Sequence, residues 1–269
     1  MSFEKQLVYD FWNEASCGEK LYFKGESEIE KYANQLTRRY ELEPMILNFA
    51  EFEKHKEKKV LEVGVGLGAD HQMFAQNGAN LSGCDLTDRA IALTQRRLSL
   101  LGLNSNLTVA DAENLPYENE SFDTVYSWGV IHVTPDTQKA ANEIYRVLKT
   151  GGTGRVMIYH RHSMIGYMLW LRYALLKFKP FRSLDYIFYH YLESTGTKAY
   201  TINEAKSLFA KFKDVKIETA LSHGDLLSSE AGQRHEGLIL SIARKIYPRQ
   251  LVKRWFSNHG QFMMIYLKK

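Results

Sequence analysis

Three carboxylates stand at the ends of apolar, strand-like runs, where an α/β sheet meets its ligands. Glu62 precedes Gly64, Gly66 and Gly68 in KVLEVGVGLGAD; Asp85 ends ANLSGCD; Asp111 follows LTVA. Glycines between an apolar strand and a helical pattern let backbone amides approach a nucleotide-like group, since a Cβ would clash or forbid the turn. Gly64-x-Gly66-x-x-Ala69 also satisfies the dinucleotide fingerprint, so the turn alone does not name the ligand. Asp85 and Asp111 lie just past their strands, at the carboxyl edge where such sheets bind ligands; the competing role is helix capping. Three histidines, His132, His160 and His162, include candidates for a general base acting on a nucleophilic oxygen or nitrogen; the alternative for each is a packed, hydrogen-bonded ring. His160-x-His162 has metal-ligand spacing but no acidic partner nearby in sequence, so no metal is expected.

The elements that must carry these groups alternate. Strands are expected at 60–63, 80–84, 107–110, 122–127 and 155–160. Helices are expected at 70–76, at 88–101 with Thr87 as cap and Gly102 as stop, and at 137–148 before the 150–152 glycine stop. This order implies a parallel sheet with right-handed crossovers. Thr201-Ile202-Asn203-Glu204 is a capping box opening a helix to about 212. A strand at 215–221 and a last one at 261–267 complete the pattern. Residues 1–55 read as helices, at 27–40 and, after Pro44, at 45–52, with the charged run 51–59 as an exposed helix end. They form either a layer over a sheet edge or a lid. Residues 161–196 and 222–259 read as helical insertions, the second with a helix at 238–246.

The ordered segments EVGVGLG, GCDLT, ADAENLP, FDTVYSWGVIHV and EIYRVLKTGG resemble the class I S-adenosylmethionine (SAM) methyltransferases, in particular the type 11 branch that includes ubiquinone and menaquinone methyltransferases. Glu62 and the ADAENLP segment disfavour a nicotinamide oxidoreductase. The resemblance implies a Rossmann-like, mostly parallel seven-stranded sheet, its last strand antiparallel, with helices on both faces. It implies a helical cap at 1–55 and a methyltransferase domain at 56–269 with substrate-side insertions at 161–200 and 222–259. It further implies SAM as cofactor, leaving as S-adenosylhomocysteine. Glu62, Gly64, Gly66 and Gly68 would serve the cofactor's amino-acid end, Asp85 the ribose hydroxyls, Asp111 and the Ala112 amide the adenine, with Leu86 and Leu115 on its faces. Ser127, Trp128 and His132 would lie near the transferred methyl. His132 and His160 are the base candidates, and Tyr159, His162, Trp170 and Tyr189 the candidate acceptor contacts.

Composition bounds the acceptor. A net charge of +4 over 269 residues implies no global polyanion partner. The residues after strand four read Ser-Trp-Gly-Val, not the Asn/Asp-Pro-Pro-aromatic run of enzymes that methylate nucleic-acid base amines, and no RNA-recognition module is evident. Two cysteines are too few for the arsenic-methylating relatives or for a disulfide framework. The N-terminus shows no secretory signal and the most apolar run, 164–176, is too short to span a bilayer, so a cytoplasmic protein is expected. The aromatic, basic run 161–196 suggests a bulky, partly apolar small-molecule acceptor methylated on O or N, less readily C. Alternatively it packs or forms a homodimer contact. Its five Lys/Arg between Arg161 and Arg182, with no acid, suggest an acidic acceptor group or contact with a membrane surface. An RNA or protein methyltransferase and a non-catalytic SAM-binding subunit are the competing functions.

Overall fold

The computed structural model describes residues 2–229, 241 and 244–269. Seven strands form one sheet in the order β3-β2-β1-β4-β5-β7-β6. They are β1 (Lys59–Val63), β2 (Asn80–Asp85), β3 (Asn106–Val109), β4 (Phe122–Trp128), β5 (Leu148–Tyr159), β6 (Asp214–Ala220) and β7 (Phe262–Lys268). The first five run parallel, and β7 lies antiparallel between β5 and β6. This is the expected Rossmann-like architecture.

Alternation along the strands makes two cores. Leu61, Val63 and Val125 face Ile144 and Val147 of α7 (Thr137–Val147) and Ala205 of α10 (Ile202–Leu208). Val60 and Tyr126 face Ile46 and Phe49 of α4 (Met45–Ala50) and Phe74 of α5 (Ala69–Gln76). A strand apolar on both faces belongs in the middle of a parallel sheet, which is why β1 and β4 were legible.

Several boundaries differ from expectation. β5 begins at Leu148, directly after α7, so the glycine stop at 150–152 lies inside the strand. The β4–β5 register shifts between Phe122 and Thr124, and Gly151 (φ 76°) supplies the left-handed residue this irregularity needs. The charged run 51–59 is not an exposed helix end. Glu51 turns left-handed after α4, and a 3-10 turn buries Phe52 and His55. The Thr201 capping box is present, but α10 stops at Leu208, and Phe209 and Phe212 fill the core beyond it. The helix expected at 238–246 lies largely outside the described residues.

The N-terminal layer holds α1 (Phe3–Glu14), the short α2 (Glu19–Tyr22) and α3 (Glu28–Leu42). It is keyed to the sheet by buried polar groups. Arg97, on α6 (Asp88–Leu100), is fully buried and donates to Gln35, to Gln72 and to the carbonyls of Tyr32 and Leu67. On α3, Arg39 makes a two-pronged pair with Asp70 of α5, which also accepts from the hydroxyls of Tyr40 and Tyr126. Asp70 is thus buried with four donors, the condition under which burying a carboxylate is tolerable.

Candidate active site

The glycine turn is held from three sides. The Gly66 amide donates to Asp85 Oδ2 at 3.1 Å, its carbonyl accepts from Thr94 Oγ1 at 3.1 Å, and Arg97 grips the Leu67 carbonyl at 2.7 Å. The three glycines serve different ends. A Cβ on Gly64 would sit 2.1 Å from Val130 Cγ2, and one on Gly68 would meet Thr94 at 2.8 Å, whereas one on Gly66 would meet nothing within 4 Å. All three have positive φ. Gly66 therefore faces a void, and that void is a cavity of about 170 Å³.

The cavity lies at the carboxyl ends of β1, β2 and β4, beneath α1. Its wall includes Glu62, Gly64, Gly66, Asp85, Leu86, Asp111, Ala112 and Trp128. Gly68 is one step behind, as a packing glycine, and Ser127 is fully buried outside the lining with no hydrogen-bond partner for Oγ among the described residues. Leu115 packs in the core cluster beneath Asp111 instead of facing the cavity.

Asp85 spends three acceptor positions on the protein: Oδ1 takes the Thr87 amide at 3.0 Å and hydroxyl at 2.9 Å, and Oδ2 takes the Gly66 amide. The Leu86 amide also bonds it, and the carboxylate forms part of the cavity wall beside the Gly66 turn. Burial raises its pKa against these donated bonds. The capping alternative belongs to Thr87, which receives the Ala90 amide.

Glu62 meets the α5 side chain of His71, with Oε2 and Nδ1 2.8 Å apart. The proton between them can be placed from the rest of the chain of bonds. Ser105 Oγ donates to the Leu81 carbonyl at 2.9 Å, so it accepts from His71 Nε2 at 2.8 Å. A neutral ring carrying its hydrogen on Nε2 leaves Nδ1 bare, and Glu62 must then be the donor. Electrostatics agree. Burial, reinforced by Asp70, holds Glu62 well above the usual carboxylate range, and burial holds His71 down at about 3.

The N-terminal helix closes the cavity. Lys5, Val8 and Trp12 of α1 line it, followed by Ser16 and Cys17. Lys5 Nζ bonds Asp111 and, at 2.7 Å, Glu113. Tyr9 donates to Asp88 at 2.9 Å, and Asn13 accepts the Arg89 amide. Trp12 Nε1 is buried with no partner among the described residues. Sequence reasoning missed Lys5, Gln35 and Arg39, all of which line the cavity. The available signal was positions 5, 8 and 12, which share one helical stripe.

The residues expected to handle the acceptor are elsewhere. None of His132, Tyr159, His160, His162, Trp170 and Tyr189 lines the cavity. His132 is fully buried with neither ring nitrogen bonded among the described residues, and burial holds its conjugate acid down at about 3, too weak a base for neutral pH. His160 is buried, its pKa lowered by burial, with Nδ1 3.2 Å from the Gly260 carbonyl. The Tyr159 ring lies 4.0 Å from His132, and its hydroxyl donates to Glu193 at 2.8 Å. Trp170 donates to the Arg182 carbonyl at 2.8 Å, Tyr189 packs on His190, and His162 is exposed on the surface. The cavity thus gathers residues expected at the cofactor and none of these six. The insertion's aromatics satisfy one another: Tyr173 and Tyr191 stack at 4.2 Å and 5°.

Residues 61–156 match the methyltransferase-domain family. The chain carries a class I methyltransferase domain. The cofactor of this domain is SAM, and the cavity fits it: Gly66 leaves open space, Trp12 Nε1 is a donor with no partner among the described residues, and the Asp85 carboxylate stands in the wall. The domain resembles phthiotriol/phenolphthiotriol dimycocerosates methyltransferase of Mycobacterium leprae, 41% identical over 97 residues, 35% of each chain. The chain spans about two fifths or less of the length of the curated relatives it matches. Among solved structures, Haemonchus contortus phosphoethanolamine N-methyltransferase 2, in complex with phosphomonomethylethanolamine and S-adenosylhomocysteine, superposes with TM-score 0.60 at 17% identity, covering 87% of this chain and 57% of that one. A Thermotoga maritima SAM-dependent methyltransferase, a possible histamine N-methyltransferase, superposes with TM-score 0.51 at 23% identity, covering 90% and 98%. At these identities the superpositions speak for the fold.

Proposed function

We propose that the chain moves a methyl group from SAM to an oxygen or nitrogen of a small, partly apolar metabolite. The observation that carries this is the meeting of Glu62, the Gly64–Gly66 turn, Asp85 and Asp111 in one cavity of a methyltransferase domain. Bound SAM supplies an electrophilic methyl on a sulfonium; the rest is binding and placement by the chain. Gly64 and Gly66 bring backbone to the amino-acid end, with Glu62 held beside it by His71. Asp85, in the cavity wall, takes the ribose hydroxyls. Asp111 and the Ala112 amide serve the adenine, with Leu86 against its face. Residues 1–55 act as the cap, α1 excluding water and lending Trp12 Nε1. No histidine lines the cavity among the described residues. Transfer then rests on orientation, which supplies up to ~7–11 kcal/mol in well-aligned systems. The acceptor enters between Trp128 and the α1–α2 connection at Ser16 and Cys17, a mixed apolar and polar wall suited to a lipid- or polyketide-like molecule, in keeping with the substrate named for the Mycobacterium leprae relative.

The test is a thermal shift titration with S-adenosylhomocysteine and with NADH, followed by labelled SAM and a metabolite extract. Stabilisation by S-adenosylhomocysteine alone and label entering a small molecule are expected. Stabilisation by NADH alone would overturn the cofactor assignment. Label in RNA or protein would move the acceptor class, and binding without turnover would make the chain a SAM-binding subunit.

A further inference from the structure

The insertion after β5 carries a surface that the methyl-transfer reading does not use. Helix α8 (Met164–Tyr173) and α9 (Leu184–Tyr191) are joined by residues 174–183, where Leu175, Leu176, Phe178 and Phe181 are exposed. Phe178 is 94% exposed and Phe181 fully so, with Leu176 at 66%. Phe178 also sits at φ 56°, a left-handed conformation disfavoured for an L-residue. No packing offsets this in the free protein.

The connection is nevertheless rigid. The Ala174 carbonyl accepts from Lys177 and Lys179, Trp170 Nε1 donates to the Arg182 carbonyl, and Arg182 donates to Tyr173 and Tyr191. Trp170 and Arg182 thus fix the base of a projection whose tip is two phenylalanines. Lys177 and Lys179 flank the tip and make no ion pair with the described residues. From Arg161 to Arg182 there is no acid, and the first one beyond, Asp185, pairs with Arg161 at 2.6 Å. Projecting aromatics ringed by unpaired lysines complement the interfacial zone of an anionic bilayer, where rings enter the acyl boundary and ammonium groups meet headgroups.

We propose that residues 174–183 dock the protein on an anionic lipid surface, with Phe178 and Phe181 inserted and Lys177 and Lys179 on the headgroups. No described helix is long and apolar enough to cross a membrane, and the contact proposed is interfacial. It stands independently of the methyl acceptor.

The test is co-sedimentation of the full chain with vesicles of phosphatidylcholine alone and of phosphatidylcholine with about a third phosphatidylglycerol, at low and high salt. Binding is expected to the anionic vesicles only and to fade with salt. The Phe178→Ser/Phe181→Ser variant should bind roughly tenfold or more weakly, since two aromatic side chains lose their buried environment. Lys177→Ser/Lys179→Ser should lose the preference for phosphatidylglycerol. Both pairs are exposed, so melting temperature and its shift with S-adenosylhomocysteine should be unchanged, which separates this test from that of the cofactor site. Wild-type protein left in the supernatant with anionic vesicles overturns the proposal, as does a phenylalanine variant that binds like wild type. A wild-type dimer on a sizing column that the phenylalanine variant abolishes would assign the patch to a second copy instead.

Discussion

His132 gives the domain an acid sensitivity whose size follows from its surroundings. The ring is fully buried, lies tilted against Tyr159 and feels the Lys198 charge, so burial, with that charge, holds its conjugate acid at about 3. In the unfolded chain the same histidine titrates near ~6.5. The folded value is depressed, so its contribution to stability is complete above the unfolded pKa. It is lost progressively as pH falls from there through the folded value. Between about pH 7.5 and about pH 5, this one group should cost ~2 kcal/mol, since each pH unit below the unfolded pKa contributes ~1.4 kcal/mol until the native ring protonates. His132→Leu keeps the volume and removes the titration. The assay is urea unfolding of both proteins at the two pH values, with linear extrapolation. The variant should be about as stable as wild type at the higher pH and should lose ~2 kcal/mol less on acidification. Equal losses in both proteins would refute the argument, showing that the ring protonates in the native state or does not drive the transition. The substitution also tests His132 as a base: methyl transfer at neutral pH should survive it.

Asp85→Ala should weaken S-adenosylhomocysteine binding by ~1.5–3 kcal/mol, measured by calorimetry on a variant whose circular dichroism is native, because it removes a charged acceptor and frees the Gly66 amide. Gly64→Ala and Gly66→Ala should part company. The first drives a Cβ to 2.1 Å from Val130 and should lower the melting temperature by several degrees. The second, at φ 52° with open space, should cost only ~1 kcal/mol of stability while impairing ligand binding. Lys5→Met should release α1 from Asp111 and Glu113, and stopped-flow binding should then show faster S-adenosylhomocysteine dissociation; an unchanged off-rate would mean that the helix does not gate the cavity.

What was legible in the sequence was what each segment decides locally. Buried parallel strands are apolar on both faces wherever the chain is cut, so β1, β2 and β4 could be read in isolation, as could the Thr87 and Thr201 caps, whose bonds reach only three residues. The start of β5 was not legible, because Thr150, Gly151 and Gly152 form a helix stop and a strand irregularity with equal ease, and only pairing with β4 chooses. The lid residues were hidden for a different reason. Lys5 finds Asp111 across 106 positions of chain, and no periodicity reports such a partner. Aromatic density in 161–196 did not place its rings, because composition counts them without giving their direction. Tyr173 stacks on Tyr191 and Phe188 is buried, while Phe178 and Phe181 turn fully outward. The cofactor wall was readable for a reason that does not extend to the acceptor. Glu62, Asp85 and Asp111 each sit at the end of a strand, and a parallel sheet brings all strand ends to one edge whatever the helices do. The acceptor wall we propose would be assembled from α1, the α1–α2 connection and the residues after β4, whose meeting depends on packing angles that no single segment encodes.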